Sequence, residues 1–210
     1  MHAPSVHLMR RLARQRFQDF VLRAPRRYAV ARYERFIDGM CAAVCAAWSQ
    51  WQSQAVLSGV VIEGAIARGG KVLGPAWTPL MLARAPKEGP WERVRARVIA
   101  TTLGEVWNAY LASIWVPELT WYPALGAVAN VPAPLRSLGQ ATACLDTASL
   151  VSRMALALGK RRKGLDSELL VSLAEAFVQC FRRWQATTMV TNVMGTAAEG
   201  AGVMKPGGLR

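Results

Sequence analysis

The sequence is poor in histidine and in acidic residues. It has only two histidines, His2 and His7, and 13 Asp and Glu against 26 Lys and Arg, which gives a net charge of +13. Histidine is the commonest general base and metal ligand near neutral pH, and a metal site needs several ligands at short spacings. We therefore predict no catalytic residue, no metal site and no cofactor, and we expect the chain not to be an enzyme.

The sequence also lacks a long hydrophobic run, although 52% of its residues are hydrophobic. A membrane-spanning helix needs about 20 consecutive apolar residues, and no stretch reaches that length. The basic start is not followed by the apolar core and cleavage site of a secretory signal. We expect a soluble protein in the cytoplasm or within an assembled particle. Residues 1–18 contain several arginines and no acidic residue, so they also fit an organelle-targeting segment.

Three short patterns resemble chemical sites but do not meet their requirements. Cys41 and Cys45 share one helical face, yet no second cysteine pair accompanies them, so all four cysteines, including Cys144 and Cys180, are interpreted as reduced core residues. Residues 64–71 resemble a phosphate-binding loop, but the glycine spacing is one residue too long and valine follows the lysine. Acidic pairs within one helix, such as residues 34 and 38, are interpreted as surface ion-pairing groups.

Hydrophobic residues recur at spacings of three and four along most of the chain, which predicts a mainly α-helical fold. We predict a bundle of about five helices within a single domain, residues 1–194. The first helix starts near Val6 and is interrupted at Pro25. The other four are predicted over about 27–54, 91–116, 140–158 and 167–193.

Three segments depart from this helical pattern. Residues 55–90 contain β-branched residues, glycines and four prolines, which predicts a small β-hairpin or loop insert with its turn at residues 68–71. Residues 117–139 are rich in proline and aromatic residues and are predicted to form a long loop. Residues 195–210 are rich in glycine, which predicts a flexible C-terminal tail.

The basic residues are concentrated in two stretches. Residues 1–36 contain nine arginines and two acidic residues, and residues 160–163 are all basic. Arginine is suited to bidentate contacts with phosphate or carboxylate groups. The candidate residues for binding an anionic partner are Arg10, Arg11, Arg14, Arg16, Arg23, Arg26, Arg27, Lys160, Arg161, Arg162 and Lys163.

Aromatic residues cluster in or beside the two proline-rich segments. Trp and Tyr are favoured both in cores and at protein interfaces, and apolar loops suggest more apolar surface than one small domain can bury. The candidate protein-interface residues are Trp77, Trp91, Trp115, Trp121 and Tyr122.

These patterns favour a non-enzymatic structural or assembly subunit that uses a basic N-terminal helix and apolar loops as contact surfaces. Its partners would be proteins, as a homo-oligomer or a larger assembly, and a phage-like or secretion-type particle fits this profile. The alternative is a nucleic-acid-binding protein that uses the Arg-rich face of residues 10–35 together with residues 160–163. A third hypothesis is attachment to an anionic membrane through residues 5–22. No small-molecule substrate is evident.

Overall fold

A computed structural model describes residues 3–22, 30–63, 66–120, 128–129, 133–134, 145–191, 194–195, 201–205 and 207–209. Over these residues the fold is mainly helical, as predicted. The six α-helices are α1 (Val6–Val21), α2 (Val30–Gln54), α3 (Trp77–Arg84), α4 (Pro90–Ala112), α5 (Thr147–Leu158) and α6 (Asp166–Thr187). None of these helices is long and apolar enough to cross a membrane.

Five of the six helices match predicted ones, because their apolar stripes are the residues that the structure buries. In α2 the stripe from Tyr33 to Trp51 is buried, and in α6 the stripe from Leu170 to Trp184 is buried. Helix α6 ends at Thr187, earlier than the predicted residue 193. Thr188 is extended and strand β6 (Met189–Thr191) follows, which agrees with the β preference of this threonine- and valine-containing stretch.

Helix α3 lies inside the insert where no helix was predicted. Its Pro79 occupies the third helical position, where the backbone N–H has no intrahelical acceptor, so the proline is tolerated. Pro90 likewise occupies the first position of α4. A Cβ on Gly104 of α4 would collide with the Thr78 side chain, so this glycine permits close packing of α3 against α4. The prolines were interpreted as helix stops, whereas these two lie at helix starts.

The insert contains the predicted hairpin, with its turn at a different place. Strand β1 (Val56–Glu63) pairs antiparallel with β2 (Ile66–Leu73), in a register that places Val56 opposite Leu73. Residues 68–71 lie inside β2, so the prediction of a turn at 68–71 is wrong. Gly69 and Gly70 lie within β2 with φ of 76° and 77°, beside a register shift in the pairing of β2 with the next strand. Glycine accommodates this irregularity because it has no Cβ.

The hairpin is the centre of a larger sheet. The further strands are β3 (Val116–Thr120), β4 (Val128–Ala129), β5 (Ala133–Pro134), β7 (Met194–Gly195), β8 (Ala201–Lys205) and β9 (Gly207–Leu209). β3 pairs with β2, while β8 and β9 pair with different parts of the other edge of β1. β8 continues to β7 and β4, and β9 continues to β6 and β5. The described parts of the tail and of the Pro-rich loop are therefore extended and paired, and flexibility of the tail stays a prediction.

Five tryptophans join the helices into one core. Trp48 and Trp51 come from α2, Trp77 from α3, Trp107 from α4 and Trp184 from α6, and all are buried. The Trp77 and Trp107 rings stack with centroids 4.1 Å apart, and Trp48 meets both rings at steep angles. Each such ring removes roughly 150–250 Å² from water, so this cluster contributes strongly to the stability of the bundle.

Candidate functional site

The basic residues 160–163, here called the basic loop, connect α5 to α6. Gly159 begins a short 3-10 turn and Gly164 follows the loop, with φ of 50° and 59° respectively. Such angles favour glycine, so two glycines set the backbone path on either side of the four cations. All four side chains are exposed, and none forms an ion pair with another described residue.

A buried ion pair between α4 and α6 lies on the interior side of the basic loop. The Arg95 guanidinium donates to both carboxylate oxygens of Asp166, with Nε–Oδ1 at 2.9 Å and Nη2–Oδ2 at 2.5 Å. Arg95 is 4% exposed and Asp166 is fully buried. A bidentate pair of this kind fixes the relative position of the two groups more strictly than a single contact.

The pair holds the backbone of the basic loop from within. Arg95 Nη2 donates to the Arg161 carbonyl at 3.0 Å, and the Lys163 amide donates to Asp166 Oδ2 at 2.7 Å. The Tyr33 hydroxyl of α2 donates to the Lys163 carbonyl and accepts from the Leu165 amide, both at 3.2 Å. Tyr33, Arg95 and Asp166, here called the buried polar cluster, thus satisfy backbone groups of the loop and its flank.

The ionisation of Tyr33 is suppressed in this position. Burial raises the pKa of the Tyr33 hydroxyl, and the nearby Asp166 carboxylate raises it further. The neutral hydroxyl is the form that can both donate to the Lys163 carbonyl and accept from the Leu165 amide. Tyr33 therefore acts as a neutral connector between α2 and the loop.

Trp91 forms a second layer beside the cluster. Its ring centroid lies 4.5 Å from the guanidinium carbon of Arg95 and 4.5 Å from that of Arg32, and its plane is nearly perpendicular to the Tyr33 ring. Arg32 Nε donates to Glu92 Oε1 at 2.8 Å, and this bond holds the pKa of the Glu92 carboxyl below its usual range. Trp91, a predicted interface residue, is thus half-buried, and its ring is engaged by two arginines of the same chain.

The arginines of α1 are placed differently from those of the loop. Arg14 forms a bidentate pair with Asp38, and Arg10 Nε donates to the Asp38 carbonyl at 3.3 Å. Arg16 Nε lies 2.8 Å from Glu175 Oε2. Arg11 is exposed. Three of the four predicted anion-binding residues of α1 therefore already contact α2 or α6. The other N-terminal candidates, Arg23, Arg26 and Arg27, follow α1 in the sequence and lie outside the described residues.

One tyrosine of α2 contacts both α1 and the basic loop. The Phe17 ring of α1 stacks on Tyr33 at 5.7 Å, and the hydroxyl of the same tyrosine binds the loop. Asp38, which binds Arg10 and Arg14, lies five residues after Tyr33 in α2, about 7.5 Å further along the helix axis. The sequence alone left this proximity open, because it depends on how α1, α2 and α6 pack.

Apart from Trp91, the predicted interface aromatics separate into three groups. Trp77 is 1% exposed and lies in the tryptophan core, so it is not available to a partner, and its prediction as an interface residue is corrected. Trp115, which precedes β3, is 52% exposed and is available. Trp121 and Tyr122 lie outside the residues that the structure describes.

The cysteines that the structure describes are free and buried. Burial raises the pKa of Cys45 to about 12 and that of Cys180 to about 11, and it raises the pKa of Cys41 strongly. Buried thiols of raised pKa are poor nucleophiles, which agrees with the interpretation of these three as core residues. Among the described residues no group of three His, Cys, Asp or Glu side chains could hold a metal ion. Cys144 and His2 lie outside them, and His7 is exposed.

Sequence reasoning missed the buried polar cluster. Neither Arg95 nor Asp166 was among the residues predicted to form a site. Arg95 lies four residues before Ile99, which continues the buried stripe of α4 toward its N terminus. An arginine in line with an apolar stripe was the available signal, but its partner Asp166 is 71 residues away in the sequence.

No protein-family model, curated protein or solved structure matches this chain.

Proposed function

We propose that this chain is a non-enzymatic structural or assembly subunit that binds an anionic surface of a partner protein through the basic loop. The observation that carries the proposal is the arrangement of residues 160–163. Their backbone is held by the buried polar cluster, while all four cationic side chains remain exposed and outside any ion pair among the described residues. An exposed cluster of one sign of charge attracts and orients a partner of opposite charge.

The buried pair itself supports a positioning role. Burial of two ions costs several kcal/mol each, and apolar residues of similar size often stabilise a core as well or better. Arg95 and Asp166 nevertheless occupy the contact between α4 and α6 and bind two backbone groups of the loop. We infer that the protein retains this costly ion pair because the pair orders the backbone of a loop that carries four cations and would otherwise be mobile.

The same loop is the basis of the nucleic-acid alternative, so the test compares both partners. Binding of a fluorescent polyglutamate peptide and of a duplex DNA would be measured by anisotropy across a series of salt concentrations. The test variant, here called the loop variant, replaces Lys160, Arg161, Arg162 and Lys163 with Gln. The matched control replaces four exposed cations elsewhere, Lys71, Lys87, Arg182 and Arg183, with Gln.

The proposal expects the loop variant to bind the acidic peptide about tenfold or more weakly than the parent, while the control variant changes little. Equal binding by the loop variant and the parent contradicts it. Preferential binding of DNA supports the nucleic-acid alternative instead. In that case the slope of log affinity against log salt should become shallower in the loop variant, by about 0.9 for each phosphate that the loop no longer contacts.

Assembly is tested separately, by light scattering behind size-exclusion chromatography on nuclease-treated protein at low and high salt. Apolar contacts persist in salt, whereas contacts between exposed charges weaken. An oligomer that survives high salt supports a self-assembling subunit. A 22.9 kDa monomer at both salt concentrations contradicts self-assembly and leaves a different protein as the partner.

A further inference from the structure

Helix α5 borders an apolar groove next to the basic loop. The groove has a volume of about 890 Å³, and its lining includes Val151, Ala155, Leu156 and Val171. A second depression of about 370 Å³ on the other side of α5 is lined in part by Val98 and again by Leu156. Leu156 is 84% exposed on the ridge between them. An apolar surface of this shape, with an exposed leucine at its centre, is typical of a site for an amphipathic segment.

The charges around this groove have one dominant sign. Arg162 of the basic loop lines the larger groove, and Arg97 and Arg153 line the smaller one. Among the described residues, none that lines the larger groove is acidic, and Glu105 lines the smaller one. The groove therefore combines an apolar floor with a basic rim, and the complementary ligand has apolar residues on one face and acidic residues on the other.

We propose that the groove along α5 binds an acidic amphipathic segment of a different protein. This inference rests on the proposed function, since it identifies the partner chemistry of the same basic loop. The apolar face of the segment covers Val151, Ala155 and Leu156. Its acidic face meets Arg162 and the neighbouring loop cations. In a helical segment, apolar residues at spacings of three and four would contact the groove.

The segments of this chain that lie wholly or partly outside the described residues do not have the acidic face that would complement the basic rim of the groove. Residues 121–144 and 23–29 contain no aspartate or glutamate, and the C-terminal residues 192–210 contain only Glu199. An occupant from these segments would leave the basic rim without a partner of opposite charge.

A second copy of the chain does not match it either. The chain has twice as many basic as acidic residues. Among the described residues, four acidic ones already form ion pairs within the fold: Asp38, Glu92, Asp166 and Glu175. The net charge of +13 disfavours a second copy at this basic rim, whereas an acidic protein complements it.

The test uses two fluorescent peptides of identical length and composition. In one, leucines recur at spacings of three and four with glutamates on the opposite face, and in the other the order is scrambled. Anisotropy titrations would use the parent chain, Leu156→Ser and the loop variant described above. Leu22→Ser is the matched control, because Leu22 is 86% exposed at the end of a different helix. Both substituted leucines are exposed, so neither change removes a core contact.

The groove proposal expects the parent to bind the amphipathic peptide about tenfold more tightly than the scrambled one, since burial of one leucine side chain is worth about that factor. Leu156→Ser is expected to abolish this preference, Leu22→Ser to retain it, and the loop variant to weaken binding of both peptides. Amide hydrogen exchange should slow in residues 147–158 when the amphipathic peptide binds.

Three outcomes overturn the groove proposal in distinguishable ways. Equal affinity of the parent for both peptides, weakened in the loop variant, contradicts the groove and leaves the proposed function intact. Absence of binding to either peptide contradicts both. A preference for the amphipathic peptide that Leu156→Ser leaves unchanged places the apolar contact elsewhere and also contradicts the groove.

Discussion

Helix α1 and the basic loop have similar charge in the sequence but opposite arrangements in the fold. In α1, Arg10 and Arg14 bind Asp38 of α2, and Arg16 forms an ion pair with Glu175 of α6. In the loop, the backbone turns inward and the side chains turn outward. The difference teaches that a cluster of arginines predicts an anion-binding surface only where the fold provides no acids of its own.

The two regions also use their ion pairs for different purposes. The α1 pairs are partly exposed, and pairs of this kind contribute about 0–1 kcal/mol because water screens them and two long side chains must be ordered. The Arg95–Asp166 pair is almost completely buried. Removing one partner of a buried pair leaves an uncompensated charge, which costs far more than the pair contributes.

The largest expected effect is therefore that of Asp166→Ala. It leaves the Arg95 guanidinium buried without a counter-charge and removes an acceptor of the Lys163 amide. We expect a loss of about 3–5 kcal/mol in the free energy of unfolding, measured by urea denaturation. The matched variant in the α1 pair, Asp38→Ala, should lose about 1 kcal/mol or less. Similar losses in the two variants would remove the contrast between the regions.

Tyr33→Phe should have the next largest effect. It leaves the Lys163 carbonyl and the Leu165 amide without their hydroxyl partner, which we expect to cost about 1–3 kcal/mol in the free energy of unfolding. Urea denaturation near neutral pH measures this cost. An unchanged free energy of unfolding would show that the hydroxyl does not hold the loop.

The stability difference between the parent and Tyr33→Phe should also depend on pH. The folded state raises the pKa of Tyr33 above its ordinary value of 10.0, so the folded state binds the phenolic proton more tightly than the unfolded state does. The resulting stability is fully present below the unfolded pKa and is lost as the pH rises through the folded pKa. The difference in unfolding free energy between the parent and Tyr33→Phe should thus shrink as the pH rises above about 10. A constant difference would show that Tyr33 does not titrate differently in the two states.

The glycines beside the loop should show a smaller effect than Asp166→Ala. Gly159 has φ of 50° and ψ of −130°, a combination that residues with a Cβ rarely adopt. A Cβ added there would meet no atom within 4 Å, so Gly159→Ala should cost only backbone strain, about 1–3 kcal/mol. At Gly164 the added Cβ would also lie 3.1 Å from the Tyr33 hydroxyl oxygen. Urea denaturation should therefore show a smaller cost of Gly164→Ala in the Tyr33→Phe background, where the contacted oxygen is absent. An equal cost in both backgrounds would indicate that contact with Tyr33 does not constrain the loop.

The smallest effect is expected for Glu175→Gln, which removes the counter-charge of Arg16. Both side chains are partly exposed, so the free energy of unfolding should fall by about 1 kcal/mol or less, and by still less at high salt. Urea denaturation at two salt concentrations measures both values. A salt-independent loss of several kcal/mol would place this α1 pair with the buried pair and would contradict the comparison.

Much of the helical fold could be predicted from the sequence because apolar spacing reports which face of a helix is buried. Helices were predicted over about 27–54 and 167–193, and the apolar stripes of α2 and α6 within these ranges are buried. Helix α3 was missed because its eight residues contain a proline and are too short for a periodic pattern. The hairpin turn was misplaced because glycines mark a strand irregularity as readily as a turn.

The candidate site could be predicted only in part. The four cations of residues 160–163 were identified from charge alone, since neighbouring residues in a loop stay close together whatever the fold. Whether each arginine is available could not be predicted, because Arg14 and Arg95 find their partners on other helices, 24 and 71 residues away.

Local patterns in the sequence thus determined five of the six described helices, the presence of the hairpin and the position of the basic loop, because hydrophobic periodicity and backbone preference act over a few residues. Only the tertiary structure decided that Trp77 belongs to the core, that Arg95 and Asp166 hold the loop, and that the basic loop lies beside the apolar groove of α5. These properties depend on contacts between distant segments, and the free energy of an ion or a ring depends on what surrounds it after the helices pack.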